Sequence, residues 1–373
     1  MRITEMHVHS VDLPYNGGVY RLSGGREYTS FDATIVEVVA DNGLSGWGES
    51  TPFGPTYVAA HADGVRAAIG VIAPMLIGED PRLVDSINDR MDVSLVGHSS
   101  AKAAIDVACW DLLGKATGMR VCELLGRDTG ERMPLISSIY SGDPDDMRAR
   151  VAAHRARGYR GHSVKVGTLD GDGGPQLDAD RVCAALADAQ RGEYFIVDAN
   201  GGMTVELALR FLKLVPDGLD FVFEAPCATW QEHLRLRQLT DRPLVLDELA
   251  DSDVAVIHAV ASGAADAISL KVSKNGGLTQ CRRQRDIALA AGMTMSVQDT
   301  VGSDLSFAAV VHLGQSVPAR GLRCILDVRD MVTKRIGDMD VTLSDGGVRA
   351  PDGPGLGIEI DRAAVGPRLA SYN

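Results

Sequence analysis

Apolar and polar positions follow different rhythms in different parts of the chain, and the changes of rhythm divide it. Over "MRITEMHVHSVDLP" (1–14) apolar and polar residues alternate, the pattern of a strand whose successive side chains face opposite ways. In "FDATIVEVVADNGLSGWGES" (31–50) two β-rich runs flank Asp41-Asn42-Gly43. Asn-Gly suits the positive φ angles of a type I′ turn, so this stretch predicts a hairpin. Between residues 58 and 125 the apolar spacing lengthens to three and four, as in "AKAAIDVACWDLLGKATG", and predicts helices, this one ending at Gly118. The first 130 residues read as an α+β unit.

From residue 133 the rhythm changes again. Short apolar runs ("PLISSIYSG", "HSVKVG", "YFIVDANGG", "DFVFEAPC", "PLVLDEL", "AISLKVSKNGG", "MTMSVQDT", "LRCILDV") alternate with amphipathic stretches such as "DPDDMRARVAAHRARG" and "TVELALRFLKLV". Eight strands alternating with helices suit an α/β fold, and the count favours a closed (β/α) barrel over an open doubly wound sheet. The expected organisation is a cap over 1–130, a barrel over 131–330, and a Gly- and Asp-rich segment over 331–373. In that last segment "MDVTLSD" and "GLGIEI" predict short β elements packing back on the cap.

Composition narrows the class of protein. The chain has 373 residues, 45% hydrophobic and 23% charged, the balance of a soluble globular protein. It has no apolar run long enough for a transmembrane helix, and its first residues read as a strand rather than a signal peptide. Six scattered cysteines without a C-x-x-C pair argue against disulfides and zinc-thiolate sites, and fit the reducing cytoplasm. A net charge of −13 disfavours nucleic acid and anionic membranes as partners.

Candidate chemistry gathers where the predicted strands end, because barrels of this kind place their active sites at the carboxyl ends of the strands. The second run ends in Lys165, with Ser163 on the same face. The third ends in Asp198 with Asn200, the fourth in Glu224, and the fifth in Asp247 and Glu248. The sixth ends in Lys271, the seventh in Gln298 and Asp299, and the eighth in Asp327. Taken singly, such residues are usually helix caps or solvated loop residues. Asp327 serves equally well to start the chain's exit from the barrel. Together, three carboxylates on adjacent strands would repel unless a hard cation such as Mg²⁺, which takes oxygen ligands, sits among them. Strands two and six are diametrically opposite in a ring of eight, so Lys165 and Lys271 are expected to face each other across that mouth.

These motifs resemble the enolase superfamily, in its mandelate racemase and muconate lactonizing enzyme branch. The likeness rests on "GWGES" (46–50), "AAIDVACWDLLGK" (103–115), "VDAN" (197–200), "FEAP" (223–226), "LDEL" (246–249) and "LKVSKNGGLT" (270–279). It implies a modified (β/α)₇β TIM barrel under an α+β capping domain, Mg²⁺ held by Asp198, Glu224 and Asp247, and acid/base roles for Lys165 and Lys271. A Lys base with Mg²⁺ is a known pairing of this superfamily. A lysine base needs its pKa brought toward neutrality, which burial and neighbouring cations are expected to do here.

One departure bears on the substrate. The muconate lactonizing branch usually carries Lys-x-Lys on the second strand, and Ser163 stands in the place of the first lysine. Members with a single lysine there act on proline derivatives, and the loop "TPFGPTYVAAHA" (51–62), with Tyr57, is similar to theirs. Two activities are implied: dehydration of cis-3-hydroxy-L-proline, and epimerisation of proline betaine or 4-hydroxyproline betaine. A quaternary nitrogen is best held by aromatic faces. The strand-seven loop "SVQDTVGSDLS" has none, whereas Asp299 suits a secondary ammonium, so the dehydratase is favoured. Sugar-acid dehydratases of the superfamily usually place a histidine where Gln298 and Asp299 stand. A silent barrel acting as a binding protein would have no need of both lysines and all three carboxylates. Tyr57 and the segment "YNGGVYRLSGG" (15–25) are expected to close over the substrate, and relatives are often homo-oligomers.

Overall fold

The computed structural model describes residues 1–339 and 347–373. Near the N-terminus the alternating stretch forms a strand, Ile3–Pro14, at the centre of an antiparallel sheet. Its neighbours are Ser30–Ala40 on one side and the C-terminal strand Arg368–Tyr372 on the other, so the chain's end completes the cap; Ser45–Ser50 lies outermost. The hairpin is present, but its turn differs from the expected type I′. Among 41–44 only Gly43 has positive φ (+82°), and Ala40 pairs with Leu44 around a three-residue loop. That is a type I turn closed by a left-handed glycine, which leaves Asn42 unstrained.

Helix Ser99–Thr117 lies across this sheet and is buried on nearly every side, ending at Gly118 in the left-handed conformation. The glycines of "GWGES" explain how it comes so close. A Cβ on Gly46 or Gly48 would stand 2.0 Å from the helix carbonyls of Ala108 or Ala104.

The eight apolar runs form eight parallel strands, and pairing of Ile325 with Leu135 closes the ring. Seven helical connections join them, from Pro144–Ala156 to Asp304–Gln315, the sixth holding two helices, Val272–Asn275 and Leu278–Ala290. The eighth strand, Leu322–Leu326, is followed only by a 3₁₀ turn, Val328–Met331. Asp327 caps that turn, accepting from the Asp330 amide (3.1 Å) and the Tyr159 hydroxyl (3.0 Å), and so belongs to the chain's exit. The architecture is thus the (β/α)₇β barrel with its cap. In the C-terminal segment "GLGIEI" makes only isolated bridges, at Gly355 and Ile360, in place of the expected strand. "MDVTLSD" lies, apart from Met339, outside the described residues.

Buried carboxylates of the cap pin it to barrel helices. Asp106 accepts from the Thr279 amide (3.0 Å) and hydroxyl (2.5 Å) at the start of helix Leu278–Ala290. Glu49 does the same for Ser303 and Ser306 at the start of Asp304–Gln315. Each negative charge meets unpaired amides at the positive end of a helix dipole.

Candidate active site

Strand register determines which side chains share the barrel mouth. Lys165 stands beside Asp198 on the next strand, and Asp198 beside Glu224 on the one after. Glu224 pairs with Val245, so Asp247 lies one pleat further along the same face. Lys271 stands beside Gln298. Alternation sends Val164 and Val166 outward into the helical layer, while Ser163 and Lys165 turn inward. Ser163, Lys165, Lys271, Gln298, Asp299, Asn200 and Tyr57 line one cavity, closed from the cap side by Tyr20, Leu22 and Phe53. Its free volume is only about 20 Å³, so a ligand the size of proline enters only if side chains or cap loops move.

The charges inside are tightly paired. Lys165 donates to Asp198, and Lys271 donates to both Asp247 and the Tyr57 hydroxyl. Tyr57 itself donates to Asp247 (3.1 Å), and its ring centroid lies 4.9 Å from the Lys271 ammonium. Lys274 adds a second cation to Asp247 (3.2 Å). Burial works to raise Asp247, but Lys271 and Lys274 outweigh it and hold the carboxyl at about 2. Among the described residues Glu224 has no ammonium in hydrogen-bond contact and accepts from the Ser269 hydroxyl, which Gln298 in turn contacts (3.1 Å). Burial, then Asp198 and Asp247, push Glu224 up to about 8. Burial with the same two neighbours raises Glu248 to about 7.

The lysines do not behave as expected from the sequence. Burial alone would lower them, yet Asp198, Tyr20 and Glu224 raise Lys165, and Asp247, Glu248 and Glu224 raise Lys271. Carboxylates in direct contact outweigh desolvation.

Asn200 ties the carboxylates together. Its amide nitrogens donate to Asp198 (2.8 and 2.9 Å) and to Glu248 (3.2 Å), from a backbone held at φ +45°. Ala225, just after Glu224, is also left-handed (φ +41°). Two such residues beside two carboxylates are backbone strain of the kind found at functional sites. Asp299 lies in the lining, but its oxygens accept from Ser273, Thr300 and Ser306. It therefore secures the strand-seven loop in this arrangement and presents no free oxygen to a ligand.

Three residues of the site escaped the sequence reading. Ser269 shares the face of Lys271 two positions on, a signal alternation offered. Lys274, three residues after Lys271, sits in the quoted "LKVSKNGG". Tyr20, whose hydroxyl meets Ser138 (2.5 Å), was not singled out by itself, although it lies in the segment 15–25 that was expected to close over the substrate.

Among the described residues no three His, Cys, Asp or Glu side chains stand in a metal-clasping arrangement. Asp198, Glu224 and Asp247 share one rim while each is turned to its own partner. The set nonetheless fits a hard divalent cation: every donor is a carboxylate oxygen, and Glu248 Oε2 and Asn200 Oδ1 are buried beside it with no hydrogen bond.

Comparison with known proteins agrees with this fold. Residues 27–126 match the mandelate racemase / muconate lactonizing enzyme N-terminal domain, and residues 146–364 the enolase C-terminal domain-like family. The chain belongs to the enolase superfamily and is one of its enzymes. Along its whole length, and that of the relative, it is 38% identical to a cis-3-hydroxy-L-proline dehydratase of Roseibium aggregatum. It is 28% identical to an N-succinyl-L-Arg/Lys racemase of Bacillus cereus, over 97% of this chain and 96% of the other. A mandelate racemase/muconate lactonizing enzyme-type structure from Roseovarius nubinhibens ISM, complexed with magnesium, is 53% identical and superposes with a TM-score of 0.99, covering 100% of both chains.

Proposed function

We propose that the protein is a magnesium-dependent hydro-lyase that removes the α-proton of cis-3-hydroxy-L-proline and eliminates the 3-hydroxyl, giving Δ1-pyrroline-2-carboxylate. The observation that carries the reading is the pair Lys165 and Lys271, set on strands four apart in the ring and lining one cavity. The full-length likeness to the Roseibium dehydratase supports the substrate.

Lys165 takes the proton from the S-configured α-carbon. Lys271, from the opposite side, gives a proton to the departing hydroxyl. In the cis isomer the hydroxyl lies on the face opposite the α-hydrogen, so the two lysines match an anti elimination. Asp198, Glu224 and Asp247 would hold the magnesium, which would supply positive charge to offset the negative charge that builds on the substrate carboxylate as the α-proton leaves, and would weaken the carboxylates' grip on the ammoniums. Lys165 then needs a lower pKa than Asp198 now allows it. Tyr57, Ser163 and Gln298 border the substrate, Tyr57 keeping Lys271 oriented. The enamine product leaves and tautomerises. Cytoplasmic residence fits six free cysteines. Assembly into homo-oligomers fits helix Asp253–Ser262, whose Val254 and Ile257 are 76% and 53% exposed.

The test is turnover of a panel of proline derivatives with excess chelator and again after Mg²⁺ is restored. Dehydration of cis-3-hydroxy-L-proline only in the second condition is expected. Inversion of a proline betaine without dehydration would replace the reading with an epimerase. Full turnover under chelation would remove the metal from it, and no turnover of any derivative would favour the silent barrel.

A further inference from the structure

Arg26 has an unusual set of partners. Among the described residues it makes no ion pair, and its guanidinium is satisfied by neutral oxygens from three separate segments. Nε donates to the Ser23 carbonyl (2.9 Å) and Nη2 to the Ser23 hydroxyl (2.6 Å), within its own cap loop. Nη1 donates to the Thr56 carbonyl (2.9 Å), one residue before Tyr57, and the Arg26 guanidinium carbon lies 6.0 Å from the Tyr57 ring centroid. Nη2 also reaches the carbonyl of Asn200 at the barrel mouth (3.3 Å). A planar fork with five donors can serve such divergent acceptors at once, which an ammonium on a flexible stem cannot.

The loop that Arg26 fastens rests on a built seat. A Cβ on Gly167 or Gly202 would lie 2.7 Å from the Ser23 Cβ, so the barrel is bare of side chains where Ser23 comes down. Gly167 follows Lys165 by two residues, and Gly202 follows Asn200 by two. Other ties, most of them as short, join two segments each: the Tyr20 and Ser138 hydroxyls (2.5 Å), the Thr300 hydroxyl donating to the Thr51 carbonyl (2.5 Å), the Asn16 amide donating to the Met331 carbonyl (2.9 Å), Gly24 to the Gly167 carbonyl (3.4 Å), and the Tyr28 and Thr56 hydroxyls (2.9 Å). None of these joins all three segments that Arg26 reaches.

We propose that Arg26 is a positioning residue that couples closure of both cap loops to the alignment of the site. It acts through two intermediaries. One is Tyr57, which bonds Lys271 and Asp247. The other is Asn200, whose strained backbone it holds while the Asn200 amide holds Asp198 and Glu248. Its kinetic consequence rests on the dehydratase reading; the coupling of the loops does not.

The test uses the full chain with Arg26→Ala and Arg26→Lys. Hydrogen exchange should quicken over 15–28 and 51–60 together in Arg26→Ala, with the thermal midpoint little changed. The value of kcat/KM should fall roughly 100-fold, mostly through kcat, the scale of loss from misplaced reacting groups. Millimolar guanidinium should restore part of that rate, and Arg26→Lys should stay near Arg26→Ala. Unchanged exchange over 51–60, or full activity in Arg26→Lys, would overturn the proposal. Should Arg26→Ala fail to fold, Gly202→Ala lifts Ser23 from its seat and should quicken both loops; quickening of one alone would contradict the coupling. If the parent protein turns over no proline derivative, the dehydratase reading fails and the exchange data alone decide the role of Arg26.

Discussion

Lys165 and Lys271 are both buried and both held by carboxylates, yet the proposed elimination asks different things of them. One must lose its proton before the substrate reacts, and the other must keep it until the hydroxyl departs. Replacing Lys165 with Ala removes the base, so elimination and α-proton exchange from the L-isomer should both stop. Replacing Lys271 with Ala removes only the acid: dehydration should fall by roughly 10²–10⁴-fold, while some α-deuterium exchange survives. Mass spectrometry of substrate recovered from deuterated water separates the two variants. Exchange that persists without Lys165 but vanishes without Lys271 would reverse the assignment. The residues proposed for this chemistry stand out in the sequence because each ends an apolar run, and the strands do bring Lys165 and Lys271 to one cavity. Their protonation was not, because Asp198 against Lys165 is a cross-strand contact that only register defines. The same holds for Asp299, whose sequence position suggested a ligand's partner while its surroundings supply four donors of their own.

At the level of elements, the cap and barrel meet through helix termini. Asp106 accepts from Asn88 (2.6 Å) as well as from Thr279, and burial lifts its carboxyl to about 6 against those hydrogen bonds. Asp106→Ala strands three buried donors, so unfolding free energy should drop by about 3 kcal/mol or more. Chemical denaturation measures it, and a loss below about 1 kcal/mol would mean water replaces the carboxylate. The neighbouring Gly277 admits no side chain, since a Cβ would stand 2.4 Å from Asp106 Oδ2. All eight barrel strands were readable from apolar spacing alone, whereas "GLGIEI" was misread as a strand and Arg368–Tyr372 was missed. The Asn42-Gly43 turn was not, since the dipeptide allows two loop lengths and the pairing of Ala40 with Leu44 selects between them. Nor were Glu49 and Asp106 readable as pins, because their partners lie more than 150 residues away.

Across the whole molecule, His312 joins three regions. Helix Asp304–Gln315 carries it, the Cys122 amide of the cap donates to its Nδ1 (3.2 Å), and Nε2 donates to the Leu356 carbonyl of the C-terminal segment (3.1 Å). Burial holds it neutral and lowers its pKa from 6.5 to about 4. The unfolded chain therefore binds a proton below pH 6.5 that the folded chain refuses. The contribution of His312 is complete above pH 6.5 and is lost as pH falls toward 4, by about 1.4 kcal/mol per unit. The stability difference between wild type and His312→Gln should narrow with that slope; a difference independent of pH would contradict it. The chain's end was expected to return to the cap through "MDVTLSD" and "GLGIEI"; it returns instead by the pairing of Arg368–Tyr372 with Ile3–Pro14.

In the proposed reaction a proton is taken from one face of a proline ring and a hydroxyl is lost from the other. Incubating the magnesium-loaded protein with cis-3-hydroxy-L-proline in deuterated water, and following the mixture by NMR, tests it most directly. The expected outcome is conversion to Δ1-pyrroline-2-carboxylate bearing deuterium at C3, where the released enamine is protonated by solvent. Recovery of the intact hydroxyproline with deuterium at an inverted α-carbon would contradict it.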